Sequence, residues 1–138
     1  KVVHRILPGG DLNGVFNQYL DLVADYGQRM QKEGIPVIFR PLHEHNGSWF
    51  WWGVKTSTPE EFQKLWEYTV TYIRDTKGVH NFLYAYSPNG PFANEQEYFT
   101  RYPGDKWADI YGIDIYDDDQ TGAYPDWKAS YYLLPCYD

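Results

Sequence analysis

Apolar positions along the chain follow two kinds of spacing. Residues 35–39 form a short apolar run without polar alternation, which is typical of a parallel strand covered on both faces. Aromatic and β-branched content predicts further strands at residues 81–86 and 108–116. In residues 14–33 and about 59–75, apolar side chains recur every three or four positions, which predicts two amphipathic helices.

Helix-boundary signals accompany both helical patterns. Asn13 is a fair N-cap for the first helix, and Gly34 is a stop signal after it. Thr58, Pro59 and Glu61 predict a capping box with proline at the first helical position of the second helix. The apolar stripe of the first helix is expected to lie in the core and comprises Phe16, Tyr19, Leu20, Val23, Tyr26 and Met30. That of the second comprises Phe62, Leu65, Trp66, Thr69 and Ile73.

Shorter segments give weaker patterns. Residues 1–7 are ambiguous between a short strand and a loop, and residues 94–100 predict a short helix in which acidic side chains face solvent. The alternation of strands and helices predicts an α/β fold with parallel strand pairing through right-handed crossovers. A complete eight-unit barrel needs about 250 residues, so the 138 residues present would supply about half of a (β/α)8 TIM barrel.

Polar residues replace apolar ones abruptly where the first strand ends. Arg40, His43, Glu44 and His45 follow residues 35–39 directly. Aromatic residues nearby lower the local dielectric and favour the protonated form of Glu44, as a general acid requires. The alternative is that Glu44 only pairs with Arg40 or a histidine, but along a regular strand Arg40 and Glu44 would be about 13 Å apart.

An aromatic run follows this polar cluster. It comprises Trp49, Phe50, Trp51 and Trp52. These rings could fill a core, but their spacing fits neither a helix nor a strand. The flanking glycines at positions 47 and 53 favour a loop, in which flat rings are suited to stacking on sugars.

The sequence does not favour metal, nucleic acid or membrane binding. His43 and His45 are two positions apart, whereas zinc-binding histidines usually lie one helical turn apart, so no metal site is predicted. A net charge of −7 disfavours nucleic acid and acidic membranes but is compatible with a neutral polysaccharide. Cys136 is the only cysteine, so an internal disulfide is excluded.

The third predicted strand brings two further candidates to its exit end. Asp114 and Tyr116 lie on one side of a strand because side chains alternate along it. Asp114 either contacts a substrate or only orients a backbone group or an arginine. Asn89, after the second predicted strand, is either a site residue or a turn former.

Residues 40–53 read Arg-Pro-Leu-His-Glu-x-Asn-Gly-Ser-Trp-Phe-Trp-Trp-Gly, which resembles the acid/base signature of glycoside hydrolase family 26. Later segments, among them Tyr-Ala-Tyr-Ser-Pro-Asn and Gly-Ile-Asp-Ile-Tyr-Asp, are similar to that family's later strands. The resemblance covers residues 7–117. It identifies residues 1–138 as a fragment of one catalytic domain, in which residues 118–138 stay unassigned.

The resemblance implies an endo-β-1,4-mannanase that retains anomeric configuration, with Glu44 as the general acid/base. Residues that match those surrounding the sugar in the family are Arg40, His43, Trp49, Asp114 and Tyr116. The matching nucleophile is a glutamate on a later strand, and no Glu follows Asp114 in this chain. The resemblance further implies a mannan-class polysaccharide substrate, no cofactor, and an extracellular or cell-envelope location.

Two other functions remain open. A non-catalytic sugar-binding module would keep the aromatic loop but not hydrolyse its ligand. An enzyme of the same family could instead cleave mixed-linkage glucan or xylan, because family members are similar in this loop.

Overall fold

The computed structural model describes residues 1–116, which form a three-stranded parallel sheet with helices packed on one face. The helices are α1 (Val2–Ile6), α2 (Asn13–Lys32), α3 (Pro59–Thr71), which continues into a π-helical turn (Tyr72–Thr76), and α4 (Glu95–Phe99). The strands are β1 (Val37–Phe39), β2 (Phe82–Tyr86) and β3 (Ile110–Tyr111). The predicted α/β class and parallel pairing are therefore confirmed.

The sheet has the order β1-β2-β3, with helices in both connections. Ile38 aligns with Leu83, and Ala85 aligns with Ile110. Beyond the last ladder, an isolated bridge joins residues 89 and 114. The carboxyl ends of all three strands therefore meet at one edge of the sheet, where the polar segments follow.

The main core lies between the sheet and helices α2 and α3. Trp66 and Phe62 of α3 pack with Tyr86 of β2, and all three are completely buried. Gly27 allows α2 to approach β2 closely, because a Cβ atom there would lie 2.7 Å from the Phe82 ring. The predicted face of α3 is buried as expected.

Local boundaries differ from the predictions in four places. Residues 2–6 form a helix, neither a strand nor a loop, because Val3 and Ile6 pack against Leu65. Asn13 is the first helical residue and not the N-cap, since its side-chain amide donates to the carbonyl oxygen of Ile6 at 2.8 Å. The first and third strands are shorter than the predicted 35–39 and 108–116.

The prediction that β1 is covered on both faces is wrong within residues 1–116. Ile38 is 66% exposed and its neighbour Leu83 is 44% exposed, because the described helices cover only the opposite face. On α2, Tyr19 and Tyr26 were expected in the core, yet they are 65% and 47% exposed. One sheet face and one side of α2 are thus apolar and uncovered by described residues.

The unassigned segment 118–138 and Cys136 lie outside the described residues. Among residues 1–116, no helix combines the length and apolar character needed to cross a bilayer.

Candidate active site

A tight turn brings Glu44 to the carboxyl end of the sheet. Leu42 and Glu44 have φ angles of 51° and 50°, in the left-handed region that non-glycine residues seldom adopt. The backbone N–H of Glu44 donates to the carbonyl oxygen of Ser87 at 2.8 Å, and that of Gly47 donates to the Glu44 carbonyl oxygen at 2.9 Å. These contacts hold an unfavourable backbone conformation, as is common at functional sites.

A pair of asparagines joins this turn to the segment after β2. The Asn46 side chain donates to the carbonyl oxygen of Asn89 at 2.7 Å and accepts from the Asn89 backbone N–H at 2.8 Å. The carbonyl oxygen of Asp114 in turn accepts from the N–H of Gly90 at 2.9 Å. Asn89 therefore connects the ends of all three strands. From the sequence alone, this role could not be distinguished from that of a turn former.

The Glu44 carboxylate is nearly buried and has an aromatic donor. The residue is 7% exposed, and the indole Nε1–H of Trp49 donates to its Oε2 at 2.8 Å. Arg40 pairs instead with Asp114, with 2.6 Å between Nη1 and Oδ2. Within residues 1–116, Glu44 forms no ion pair, so the alternative in which it only neutralises Arg40 or a histidine is wrong there.

A cavity of about 300 Å³ opens beside this carboxylate. It is lined by Arg40, His43, Glu44, Ile113, Asp114, Ile115 and Tyr116. Five of these seven residues are those that the sequence places at a sugar site, although they come from segments about 70 positions apart. Trp49 contacts the cavity residues through its hydrogen bond to Glu44, and its ring is 57% exposed. Tyr116 is 71% exposed at the opening.

The aromatic run forms a loop, and its rings have different environments. Phe50 and Trp52 stack with centroids 4.3 Å apart, and the indole N–H of Trp52 donates to the carbonyl oxygen of His43 at 2.8 Å. Trp51 faces α2, where its centroid lies 6.4 Å from Phe16. Trp49 therefore is the ring of the run that contacts Glu44, whereas Phe50 and Trp52 support the turn.

His45 points away from this cavity. It is 1% exposed, and its ring lies between Phe62 and Tyr86 at centroid distances of 4.2 and 4.7 Å. Burial, with a smaller contribution from the Arg101 guanidinium, lowers the pKa of His45 to about 3, so the ring is neutral. Across the described part of the chain, no group of three or more metal-binding side chains is assembled.

Sequence reasoning did not identify the structural contributions of Ser87, His45 and Arg101. The Ser87 contact is made by its backbone carbonyl, which no side-chain pattern can reveal. His45 stood inside the recognised motif, and its burial depends on helix α3, which is distant in sequence. Arg101 is 3% exposed and donates to the carbonyl oxygen of Ser57 at 3.1 Å.

The arrangement is suited to proton transfer on a polar ligand. A carboxyl group, a guanidinium–carboxylate pair and an exposed tyrosine surround one small cavity. The indole donor fixes the orientation of the carboxyl group, which is a requirement for general acid/base catalysis.

Comparisons with known proteins agree on one family. The family model of glycosyl hydrolase family 26 matches residues 1–131. A mannan endo-1,4-beta-mannosidase of Bifidobacterium adolescentis is 49% identical over 124 residues, which are 87% of this chain and 12% of that protein. An endoglucanase H of Acetivibrio thermocellus is 30% identical over 110 residues, which are 76% of this chain and 12% of that protein.

Solved structures give the same result. The catalytic domain of an endo-beta-1,4-mannanase from Bacillus sp. JAMB-750 has a TM-score of 0.80 and 53% identity, over 85% of this chain and 31% of that chain. The present chain thus spans less than a third of the length of each of these three relatives.

Proposed function

The chain belongs to glycosyl hydrolase family 26, and from this membership we propose that it carries the acid/base part of a mannan-cleaving active site. The reaction is hydrolysis of β-1,4-mannosidic bonds with retention of anomeric configuration. The observation that carries the proposal is the Glu44 carboxyl group, nearly buried at the strand ends and oriented by Trp49.

Glu44 acts twice in this mechanism. It first protonates the glycosidic oxygen while a second carboxylate attacks the anomeric carbon, and it then deprotonates the water that releases the glycosyl intermediate. The hydrogen bond from Trp49 keeps the Glu44 carboxyl group aimed into the cavity in both steps. The polar groups opposite it, Arg40 and Asp114, bind sugar hydroxyl groups, and His43, Tyr116 and Trp49 contact the sugar ring.

The second carboxylate is a glutamate on a later barrel strand, as the family resemblance implies. No Glu follows Asp114 in the 138 residues, and the aspartates at 117–119 come too soon after the third strand for this role. The two carboxyl groups of a retaining enzyme lie about 5 Å apart. We propose from the family membership that the three parallel strands belong to a (β/α)8 barrel, in which a further strand carries this glutamate.

The same membership supports a proposal for the substrate and the location. The ligand is a mannan-type polysaccharide or oligosaccharide, and the enzyme acts outside the cell or at the cell envelope without a cofactor. Net charge of −7 is compatible with this neutral polymer.

A β-glucan is the second candidate substrate. The similarity to an endoglucanase, at 30% identity over 76% of the chain, favours this alternative. Parallel assays on mannan, mixed-linkage glucan and xylan distinguish these activities. Binding of oligosaccharide without hydrolysis of any of the three would instead indicate a sugar-binding module.

The decisive experiment replaces Glu44 by alanine in the protein as encoded, with any flanking sequence included. Hydrolysis of mannan should fall roughly 100- to 10,000-fold, because that is the usual contribution of one general acid/base. An aryl mannobioside with a good leaving group needs no acid, so its first step should persist and azide should restore turnover. The matched control is Glu33→Ala, since Glu33 is exposed at the end of α2.

Azide rescue that yields a mannosyl azide of retained configuration assigns the acid/base role to Glu44. The proposal is wrong if Glu44→Ala and Glu33→Ala hydrolyse mannan equally fast, or if azide has no effect on the activated substrate.

A further inference from the structure

The turn that carries Glu44 is held from one side by hydrogen bonds and from the other by a ring. The left-handed Glu44 backbone is fixed on one side by the carbonyl oxygen of Ser87. On the other side, the next residue is His45, whose buried ring anchors the chain immediately after the carboxylate. A displacement of that ring would move the Glu44 backbone directly.

His45 occupies an aromatic slot and not a polar site. The His45 ring plane is inclined by 34° to the Phe62 ring and by 32° to the Tyr86 ring. The ring centroids lie 4.2 Å apart for Phe62 and 4.7 Å apart for Tyr86. Neither ring nitrogen has a hydrogen-bond partner within the described residues, and both are inaccessible to water. Leaving buried polar atoms unpaired is unfavourable, so ring packing and not hydrogen bonding holds His45 in this slot.

The surroundings of the slot oppose a charge on this ring. Arg101 lies behind Phe62, with 4.9 Å from its Cζ atom to the ring centroid, and among residues 1–116 it donates to the neutral oxygens of Trp52 and Ser57. Among the other titratable groups, the Tyr86 hydroxyl donates to the backbone carbonyl oxygen of Tyr98. The negative charges of Glu60 and Glu61 interact electrostatically with the Arg101 guanidinium. Burial and Arg101 together lower the pKa of His45.

We infer that His45 is a positioning residue for the reaction: its buried ring, held between Phe62 and Tyr86, fixes the backbone of Glu44 and thereby aims the carboxyl group. This inference rests on the proposed function of Glu44. The two histidines of the His-Glu-His sequence then have different roles. His43 lines the cavity, and the buried ring of His45 holds the turn on the side facing the core.

The test compares His45→Ala with His45→Phe in the protein as encoded. Because a misplaced catalytic group costs up to about 100-fold, His45→Ala should lower kcat roughly 10- to 100-fold while KM stays within about threefold. His45→Phe should keep kcat within about threefold, since a phenyl ring fills the aromatic slot. His80→Ala is the control, because His80 is exposed and distant from the turn in sequence.

A second measurement does not depend on activity. The Trp49 indole N–H signal, identified in NMR spectra by its absence in Trp49→Phe, reports the hydrogen bond to Glu44. It should shift in His45→Ala and keep its position in His45→Phe. In the wild type, nitrogen-15 spectra should show a neutral His45 ring at pH 5, and this holds as a test even if His45→Ala does not fold.

Acid denaturation measures how the His45 ring makes the stability of the fold depend on pH. A folded-state pKa below the ordinary value means that the neutral ring stabilises the fold above about pH 6.5 and that this contribution is lost as pH falls toward 3. His45→Phe removes the proton uptake that accompanies unfolding at this residue, so its acid midpoint should lie at a lower pH than that of the wild type.

Three results would overturn the inference. These are an unchanged kcat per folded molecule in His45→Ala, an equal loss in His45→Phe and His45→Ala, or a charged His45 ring at pH 5. A wild-type protein that hydrolyses no β-glycan would contradict the proposed function instead, and the Trp49 indole signal would still decide whether His45 positions Glu44.

Discussion

Single residues of the aromatic run differ in function although they look alike in sequence. Trp49 donates to Glu44, Phe50 and Trp52 stack on each other with the Phe50 ring against His43, and Trp51 contacts α2. Gly47 makes the Trp49 placement feasible, because a Cβ atom there would lie 2.3 Å from the indole ring. The loop was predictable from spacing, but the direction of each ring depends on packing partners outside the run.

Trp49→Phe separates the indole hydrogen bond from ring stacking. The phenyl ring retains a flat face for a sugar, but Oε2 of Glu44 loses its donor. Hydrogen bonds to charged groups contribute about 1.5–3 kcal/mol, so kcat on mannan should fall roughly 10- to 100-fold with little change in KM. Steady-state kinetics on mannan oligosaccharides measures both constants.

Trp51→Phe is the matched control for this experiment. Trp51 is also partly exposed, at 40%, but it faces Phe16 and not Glu44. Its kcat should stay near the wild-type value. A kcat and a KM that both stay near the wild-type values in Trp49→Phe would show that the indole hydrogen bond to Glu44 does not contribute to catalysis.

Among the elements, helix α3 was the most predictable and α1 the least. The capping box forms as its spacing predicts: the Thr58 N–H donates to Oε2 of Glu61 at 2.8 Å, and the Glu61 N–H donates to Oγ1 of Thr58 at 3.2 Å. Both partners lie within one helical turn, so local sequence suffices. The α1 helix has five residues and depends on packing against Leu65, which no local pattern specifies.

Thr58→Ala measures the contribution of this cap. Loss of the side-chain acceptor should lower the free energy of unfolding by about 1 kcal/mol, as for other N-cap threonines. Urea denaturation followed by circular dichroism gives this value. Thr76→Ala, at an exposed position at the end of the π-helical turn, should change it by less than about 0.5 kcal/mol. Equal effects of the two substitutions would show that the cap does not stabilise α3.

At the scale of the whole molecule, the described residues leave one face of the sheet uncovered. Ile38 and Leu83 are adjacent in register and largely exposed there, and β1 has no strand on its outer edge within residues 1–116. Exposed apolar sheet faces and open edges favour association with other chains. Further strands of a barrel would cover both features.

Through this exposed face of residues 1–116, the protein should therefore self-associate. Replacing Ile38 and Leu83 together by lysine should lower this association, because the exposed apolar face would become charged and would repel the same face of another copy. Sedimentation velocity at several concentrations measures the effect. Val54→Lys is the control, since Val54 is equally apolar and 49% exposed but lies in a loop. Equally strong association of the wild type, the double lysine variant and Val54→Lys would contradict the prediction that this sheet face mediates self-association.

The sequence by itself determined the helix–strand alternation, the α3 capping box and the loop around Glu44, because each depends on residues within a few positions of one another. It also carried the family resemblance, through one nearly continuous motif. Only the tertiary structure decided that Arg40 pairs with Asp114, that Trp49 is the donor to Glu44 and that His45 lies buried. Most of these contacts join segments far apart in the chain, and even the nearby Trp49 contact depends on the left-handed turn at Glu44. Side-chain direction and burial are therefore set by the assembled sheet and helices.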